Sequence, residues 1–530
     1  MKVYINFVKN QTKNILEKTI ISLIVATPVL AILFFTTITR SVFDLPKISI
    51  VYIFVLIIVG LWIFSGKMLK ASPFNLPIIA YLGISIVATV MAISPYVAIF
   101  GFYKRYDGIL ALFSYIILFY AIITFIKKIH IEIILNILIA TAVIASFYGY
   151  YQSYNYDFVK WSLDFGLGIR PQSTFGHPGF FACFLAMVIP IVIYKIYKSL
   201  YSYIYLIILG LIVYMIFETK TRSSLVALAV FAIIYLVTLI YNGMWRSHIT
   251  AIILAIIIGI SVYQNVFVEH TAVSRFKEDI VKVIKQEDVS HVGSTRVKIW
   301  QTGIKIIKRF PVTGIGLDNI AFAYEPFFED EKKLGFQYQS RLHNDILEQA
   351  ATRGIPGVLI WFWLMVAIGR RAMRDIRKPT PADDRLLMIM LSSVLLVYLV
   401  NNQFSFGTIG TTTTFWFVLG LLIVVCRNCD RYNIYLTRIP LIKVGISLIL
   451  VLSVFMSFKI FYADVYFRGY AMFKHLEEKA EDDGLRRELS KKSYDLLMGA
   501  MTHNPHEPVY MKRFQIHFLE QLYLQQMKEK

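Results

Sequence analysis

The chain has 530 residues, 57% of them hydrophobic, and a mean hydropathy of +0.61. That much apolar surface excludes a soluble globular protein, and repeated runs of about 20 apolar residues point to membrane-spanning helices. A formal charge of +20 would suggest nucleic acid in a soluble chain. Here the excess sits mostly in short segments between apolar runs, where it sets orientation instead, and no nucleic-acid partner is expected. Three cysteines, two of them in Cys426-Arg427-Asn428-Cys429, offer no disulfide framework, and no further ligands stand near them to complete a zinc site.

In chain order the pattern predicts spans near 19–38, 48–66, 76–94, 108–126, 131–151, 178–197, 202–218, 223–242, 248–268, 355–370, 386–401, 408–426 and 441–461, an all-α, polytopic membrane fold of about 13 helices. The first span follows Lys2, Lys9, Lys13 and Lys18. It is too long for a signal-peptide core and no small-residue cleavage site follows, so it reads as an uncleaved anchor, kinked at Pro28. With the N-terminus in the cytoplasm, inside segments carry about 20 basic residues and short outside loops about 8, a clear positive-inside bias. The long polar excursion and the C-terminal tail then both lie outside. The resulting division is 1–267 (nine spans), 268–354 (long outer loop), 355–462 (four spans) and 463–530 (helical tail).

Outside positive charges run against the orientation bias and need a reason. Arg105 lies in the Gly-bounded aromatic loop Phe100-Gly101-Phe102-Tyr103-Lys104-Arg105-Tyr106-Asp107-Gly108. Arg170 precedes the turn Pro171-Gln172-Ser173-Thr174-Phe175-Gly176-His177-Pro178, and Arg222 sits in the tight turn Lys220-Thr221-Arg222-Ser223-Ser224. Each alone also fits an interfacial residue snorkelling to lipid headgroups; together they can line an outward-facing anion site. Asp44, beside Leu45-Pro46, reads as a turn residue.

Residues 268–292 are charged and weakly helical, with no recognisable chemistry. Ser294 then caps a predicted amphipathic helix with Val297, Trp300, Ile304 and Ile307 on one face, suited to a membrane surface. Arg296 falls in its first turn, where a cation opposes the helix dipole and a ligand anion would compensate. Pro311 and Gly314-Ile315-Gly316 end the helix; a dinucleotide fingerprint is excluded because the third glycine and the preceding strand are missing. Residues 320–340 are aromatic and acidic and read as an irregular flap. His343 and Asn344 precede a short helical pattern that Gly354-Ile355-Pro356-Gly357 breaks. A neutral imidazole there can accept a proton near pH 7, although the position alone favours a helix-start residue bonded to its neighbours.

After the last span, amphipathic segments near 463–480, 484–502 and 507–527 look like helical-hairpin repeats of the tetratricopeptide kind. They are too few to stand alone, so they are expected to pack on the long loop or a protein partner.

One histidine and several arginines on a face without nucleotides suit a lipid-linked diphosphate donor. Guanidinium forks bind phosphate oxygens and stay charged. A glycosyl diphosphate already carries a good leaving group, so charge stabilisation plus removal of a hydroxyl proton suffice. No metal and no cofactor are required, and single displacement inverts the anomeric centre.

These motifs resemble the O-antigen ligase and polymerase superfamily of bacterial membrane glycosyltransferases. The resemblance runs from about residue 95 to 425 and rests on the loops quoted above, with Ser294-Thr295-Arg296, Trp300, Pro311-Val312-Thr313-Gly314-Ile315-Gly316, His343-Asn344, Glu348 and Gly354-Ile355-Pro356-Gly357. It implies a GT-C-like fold in the bacterial inner membrane and an undecaprenyl-diphosphate-linked glycan donor. His343 would be the catalytic residue, and Arg222 and Arg296 the diphosphate ligands. Arg105, Arg170, His177 and Asn344 are further candidates for lining the substrate; His177 departs from the family, which often has Asn there. The acceptor stays open between a lipid A core, a growing lipid-linked chain and a protein hydroxyl. A lipid-glycan transporter would need ionisable residues inside the spans for coupling, and these spans hold almost none.

Overall fold

The computed structural model describes residues 2–159, 170–241, 294–324, 339–378, 380–426, 433–434 and 440–529. The first half holds α1 (Lys2–Leu33), α2 (Asp44–Ser65), α3 (Asn75–Val90), the short α4 (Pro95–Phe100), α5 (Ile109–Phe125), α6 (Lys128–Ser153), α7 (Pro178–Lys198), α8 (Ser202–Glu218) and α9 (Arg222–Tyr241). The polar excursion contributes α10 (Ser294–Arg309) and α11 (Ile320–Tyr324). After it come α12 (Asp345–Ile376), α13 (Ala382–Asn401), α14 (Ile409–Val425), α15 (Pro440–Lys479), α16 (Asp483–His503) and α17 (Pro508–Glu529).

Helices coincide with twelve of the thirteen expected spans; the one expected at 248–268 lies outside the described residues. Among the described residues six helices are long and apolar enough to cross a membrane, and five shorter apolar helices accompany them. The chain is an all-α, multi-pass membrane protein, as a bilayer requires of a chain that must satisfy every backbone N–H and C=O internally.

The bundle is built around α7, buried without a break from Gly179 to Lys195. It packs on α8 and α13; α13 meets α9 and α14, and α14 lies against α5. Ser393, Thr413 and Thr414 donate to carbonyls one turn back, which satisfies hydroxyls in an apolar interior. The two ends of the bundle differ. At one, short connections are tied by Lys128–Asp384 (2.5 Å), Lys198–Asp383 and Lys195–Glu132 (2.7 Å), and Leu69–Lys70 pairs antiparallel with Asn433–Ile434. The other end carries the longer connections and the polar excursion.

Two expectations for the excursion are corrected. In α10 the buried face is Ile299, Thr302 and Ile306, while Val297 and Ile304 stay exposed. Ile299 and Ile306 join Ile315, Ile320, Leu342 and Ala351 in a second small core, against which the expected Trp300 and Ile307 also pack. The expected flap begins instead with α11, whose Ile320, Ala321, Ala323 and Tyr324 are buried; residues 325–338 lie outside the described residues. The turn Pro311–Gly316 packs against the break in α12: Ile315 N–H and Gly316 N–H donate to the carbonyls of Ala351 (3.0 Å) and Thr352 (3.1 Å), and Ile355 N–H to Pro311 (2.8 Å).

The tail is also built differently from expectation. A boundary at 462/463 falls inside α15, a single helix of 40 residues and so about 60 Å long. Its buried Asp464 accepts hydrogen bonds from Tyr103 (2.6 Å) and Tyr510 (3.2 Å) and from the backbone N–H of Ser41 (2.7 Å). Tyr96 donates to Asn504 at 2.8 Å. The tail is thereby fastened to the connection before α2 and the aromatic loop after α4.

Candidate functional site

At the end of the bundle that carries the excursion lies a cavity of about 1180 Å³. Six of the seven residues singled out from sequence line it: Arg105, Arg170, His177, Arg222, Arg296 and His343. Asn344 does not. Its side chain caps α12, accepting from Leu347 N–H (3.0 Å) and donating to the Gln403 carbonyl (3.1 Å), so it fixes the helix start and is not part of the lining.

That cap also helps to hold His343. The residue has φ of +53°, a left-handed conformation costly for a non-glycine and kept only where neighbours impose it. On one side Arg341, buried, pairs with Asp318 (2.9 Å), Glu348 (3.1 Å) and Asp107 (3.5 Å), and Leu342 N–H donates to Glu348 (2.9 Å). On the other, Asp345 N–H donates to the Asn402 carbonyl at 3.0 Å. Burial alone would lower Arg341, but Asp318, Glu348 and Asp107 hold it above its usual range. It is therefore a permanently charged brace rather than a substrate ligand.

Phe406, in the connection between α13 and α14, is the hub of the arrangement. The His343 ring meets it edge to face at 5.0 Å, the Arg105 guanidinium lies over it at 4.5 Å, and Phe180 packs on it at 5.0 Å. Burial presses the His343 imidazole down to about 4, and the charges of Arg296 and Arg105 add to the effect. The ring is thus neutral at pH 7, its basicity lowered first by burial and then by the cationic wall.

His177 is the N-cap of α7, and its Nδ1 accepts the Gly179 N–H at 3.0 Å. The ring proton therefore belongs on Nε2, which makes the neutral ring a fixed hydrogen-bond donor. Desolvation, then Arg170 and Arg105, lower it to about 4 as well. The turn before it is stapled in place: Gln152 Oε1 accepts from Ser173 N–H (2.6 Å), and Lys47 donates to the Thr174 carbonyl (2.6 Å).

Arg170 donates from Nε to the Thr219 carbonyl (2.7 Å) and from a terminal nitrogen to Thr221 Oγ1 (3.3 Å). It thereby clamps the turn that delivers Arg222 at the start of α9. Arg296 enters from the first turn of α10. Desolvation and the charge of Arg222 both push Arg296 below its usual range. Two guanidiniums that repel one another across a cavity wall are an arrangement that a phosphate between them would relieve.

Sequence reading missed Phe406 and the Arg341 cluster. A signal for the first was present in Asn401-Asn402-Gln403-Phe404-Ser405-Phe406-Gly407, a polar interruption between two apolar runs. Asp44 opens α2 and lines the cavity instead of serving only as a turn. Among the described residues no group of three or more His, Cys, Asp or Glu is placed to hold a metal ion. The wall formed by α15 and α17, with Phe467, Tyr470, Lys474, His475 and Arg513, was not anticipated.

No curated protein matches the chain. A family described as O-antigen ligase matches residues 204–362, the middle of the 95–425 stretch that carries the resemblance. The matched segment runs from α8 into α12 and contains Arg222, Arg296 and His343. Over that stretch, less than a third of the chain, the sequence is similar to the O-antigen ligase family.

Proposed function

We propose that this chain is an inverting, metal-independent glycosyltransferase that moves a glycan from undecaprenyl diphosphate to an acceptor hydroxyl on the non-cytoplasmic face of the inner membrane. The observation that carries the reading is the gathering of a neutral His343 with Arg105, Arg222 and Arg296 around one cavity at one end of a membrane bundle. The donor's diphosphate sits between Arg222 and Arg296, and its polyprenyl chain runs among the helices. His343 takes the proton of the acceptor hydroxyl as its oxygen attacks the anomeric carbon. The bond from that carbon to the diphosphate oxygen breaks, its electron pair stays on the diphosphate, and the guanidiniums hold the charge that develops there. The Nε2–H of His177 is a further donor for the same oxygens. The N-terminus is cytoplasmic and the cavity faces the periplasm, in keeping with the positive-inside bias.

The test is transfer by the purified chain in lipid nanodiscs, from a synthetic undecaprenyl-diphosphate glycan of known anomeric configuration, with and without EDTA. Inversion of that configuration and indifference to EDTA are expected. Retention, or activity lost to EDTA and restored by a divalent cation, would contradict the mechanism and direct attention to Asp44.

A further inference from the structure

We infer that Asp464, in the C-terminal half of α15, is a positioning residue for the transfer: through Tyr103 it holds the loop that sets the Arg105 guanidinium over Phe406 in the cavity. The part given to Arg105 rests on the transferase reading above. Arg105 stands between Lys104 at φ +65° and Tyr106 at φ +54°. Two left-handed residues other than glycine make a backbone that persists only where its surroundings over-determine it. The turn closes on the Phe102 carbonyl, which accepts from Arg105 N–H (2.8 Å) and Tyr106 N–H (3.0 Å). Asp318 holds both ends of the loop, accepting from Phe102 N–H (2.7 Å) and Asp107 N–H (3.3 Å). The middle is held from the tail. Tyr103 Oη donates to Asp464 Oδ1 at 2.6 Å, and its ring meets Phe467 and Tyr510 edge to face, each at 5.9 Å.

A carboxylate at this junction is informative. Asp464 is fully buried, and an apolar residue would pack the tail on the loop without the cost of desolvating an acid. What the carboxylate adds is direction. Its Oδ1 fixes the hydroxyls of Tyr103 and Tyr510, and its Oδ2 takes the N–H of Ser41, from the connection that brings Asp44 to the same cavity. Loss of the Tyr103 bond frees the middle of a strained loop, and two residues on is Arg105, whose guanidinium lies 4.5 Å from the Phe406 ring centre. His343 packs on that same ring, so its imidazole senses where Arg105 stands. The charged and titratable groups that act on His343 are Arg296 from α10, Arg105 from the loop, His177 from α7 and Arg341 from the buried cluster, and each lowers its proton affinity. Withdrawal of Arg105 therefore raises it.

The experiment follows the His343 titration by NMR of the histidine-labelled full chain in nanodiscs, the signal assigned by its loss in His343→Gln, beside transfer from an undecaprenyl-diphosphate glycan. Arg105→Ala should raise the His343 midpoint by about one pH unit, and Tyr103→Phe by about half as much. In Tyr103→Phe kcat/KM should fall about tenfold, the scale of one hydrogen bond to a charged group, with no further fall when it is added to Arg105→Ala. Asp464→Ala should match Tyr103→Phe in the titration. Tyr510→Phe removes a bond to the same carboxylate oxygen from outside the loop, and should leave both the midpoint and kcat/KM in place. Equal effects of Tyr103→Phe and Tyr510→Phe, or a Tyr103→Phe chain whose His343 titrates like the unaltered one, would overturn the assignment and leave Asp464 a fastener of the tail. Titration shifts as expected in a chain that transfers no glycan even when unaltered would uphold the positioning and remove the transferase reading.

Discussion

His343 sits at φ +53° beside an aromatic ring and within reach of four positive or potentially positive groups, and both features bear on its chemistry. The backbone strain, of about 1–3 kcal/mol, is carried by the Arg341 cluster on one side and the Asn344 cap on the other. The low affinity for a proton, down to about 4, comes from burial and from the neighbouring charges of Arg296 and Arg105. On the proposed reaction, a bound diphosphate would place negative charge near Arg296 and Arg105, offset their effect on the ring, and so raise its pKa. The acid limb of kcat/KM, which reports free enzyme, should therefore lie near pH 4, and the acid limb of kcat, which reports the complex, at higher pH. Arg296→Ala removes a positive neighbour, so the acid limb of kcat/KM should move upward; pH–rate profiles of the two proteins check both directions. At His177 the fixed Nε2–H makes a different prediction. Asn retains a donor and should hold kcat/KM within about fivefold, whereas Phe should lower it roughly 10²-fold, the scale of one lost transition-state donor. Equal losses in the two variants, measured at fixed acceptor concentration, would assign His177 to packing.

Among the elements, α12 shows best how local sequence sets the site. Gly354 takes φ +73°, and a Cβ there would lie 2.2 Å from the Val312 carbonyl oxygen. Only glycine lets the short helix bearing Glu348 end and the span begin while the Pro311–Gly316 turn packs against the break. Gly354→Ala should destabilise the protein by more than about 2 kcal/mol, seen as a lower Tm in detergent, with transfer lost in proportion to folded protein at higher temperature. An unchanged Tm would mean that the break relaxes freely. The break itself was legible from Gly-Ile-Pro-Gly, because those residues punctuate a helix through their own backbone preferences. The face of α10 was not. Of the expected face Trp300 and Ile307 do pack on the small core, but the spacing admitted Val297 and Ile304 where Ile299 and Ile306 are buried, and only the tertiary partner, α12, decided between them. The continuity of α15 was equally hidden, since an apolar span followed by an amphipathic segment leaves no break to read at Asp464.

For the molecule as a whole, the spans were readable because a bilayer makes length and hydropathy nearly sufficient. The candidate residues were readable because positive charges in loops expected outside the membrane stand against a bias. What escaped were the relations between distant segments: Arg341 with Asp107 and Asp318, Phe406 beneath His343 and Arg105, and α15 against Tyr103. Such contacts leave no periodic trace in either partner. The central claim is that His343 is the base of a glycan transfer in this cationic cavity, and the most direct measurement is the single-turnover rate of the His343→Ala chain beside its affinity for the undecaprenyl-diphosphate donor. The account predicts a rate lower by about 10²–10⁴-fold with donor affinity nearly unchanged. A rate within a few fold of the unaltered chain, at full donor occupancy, would contradict it.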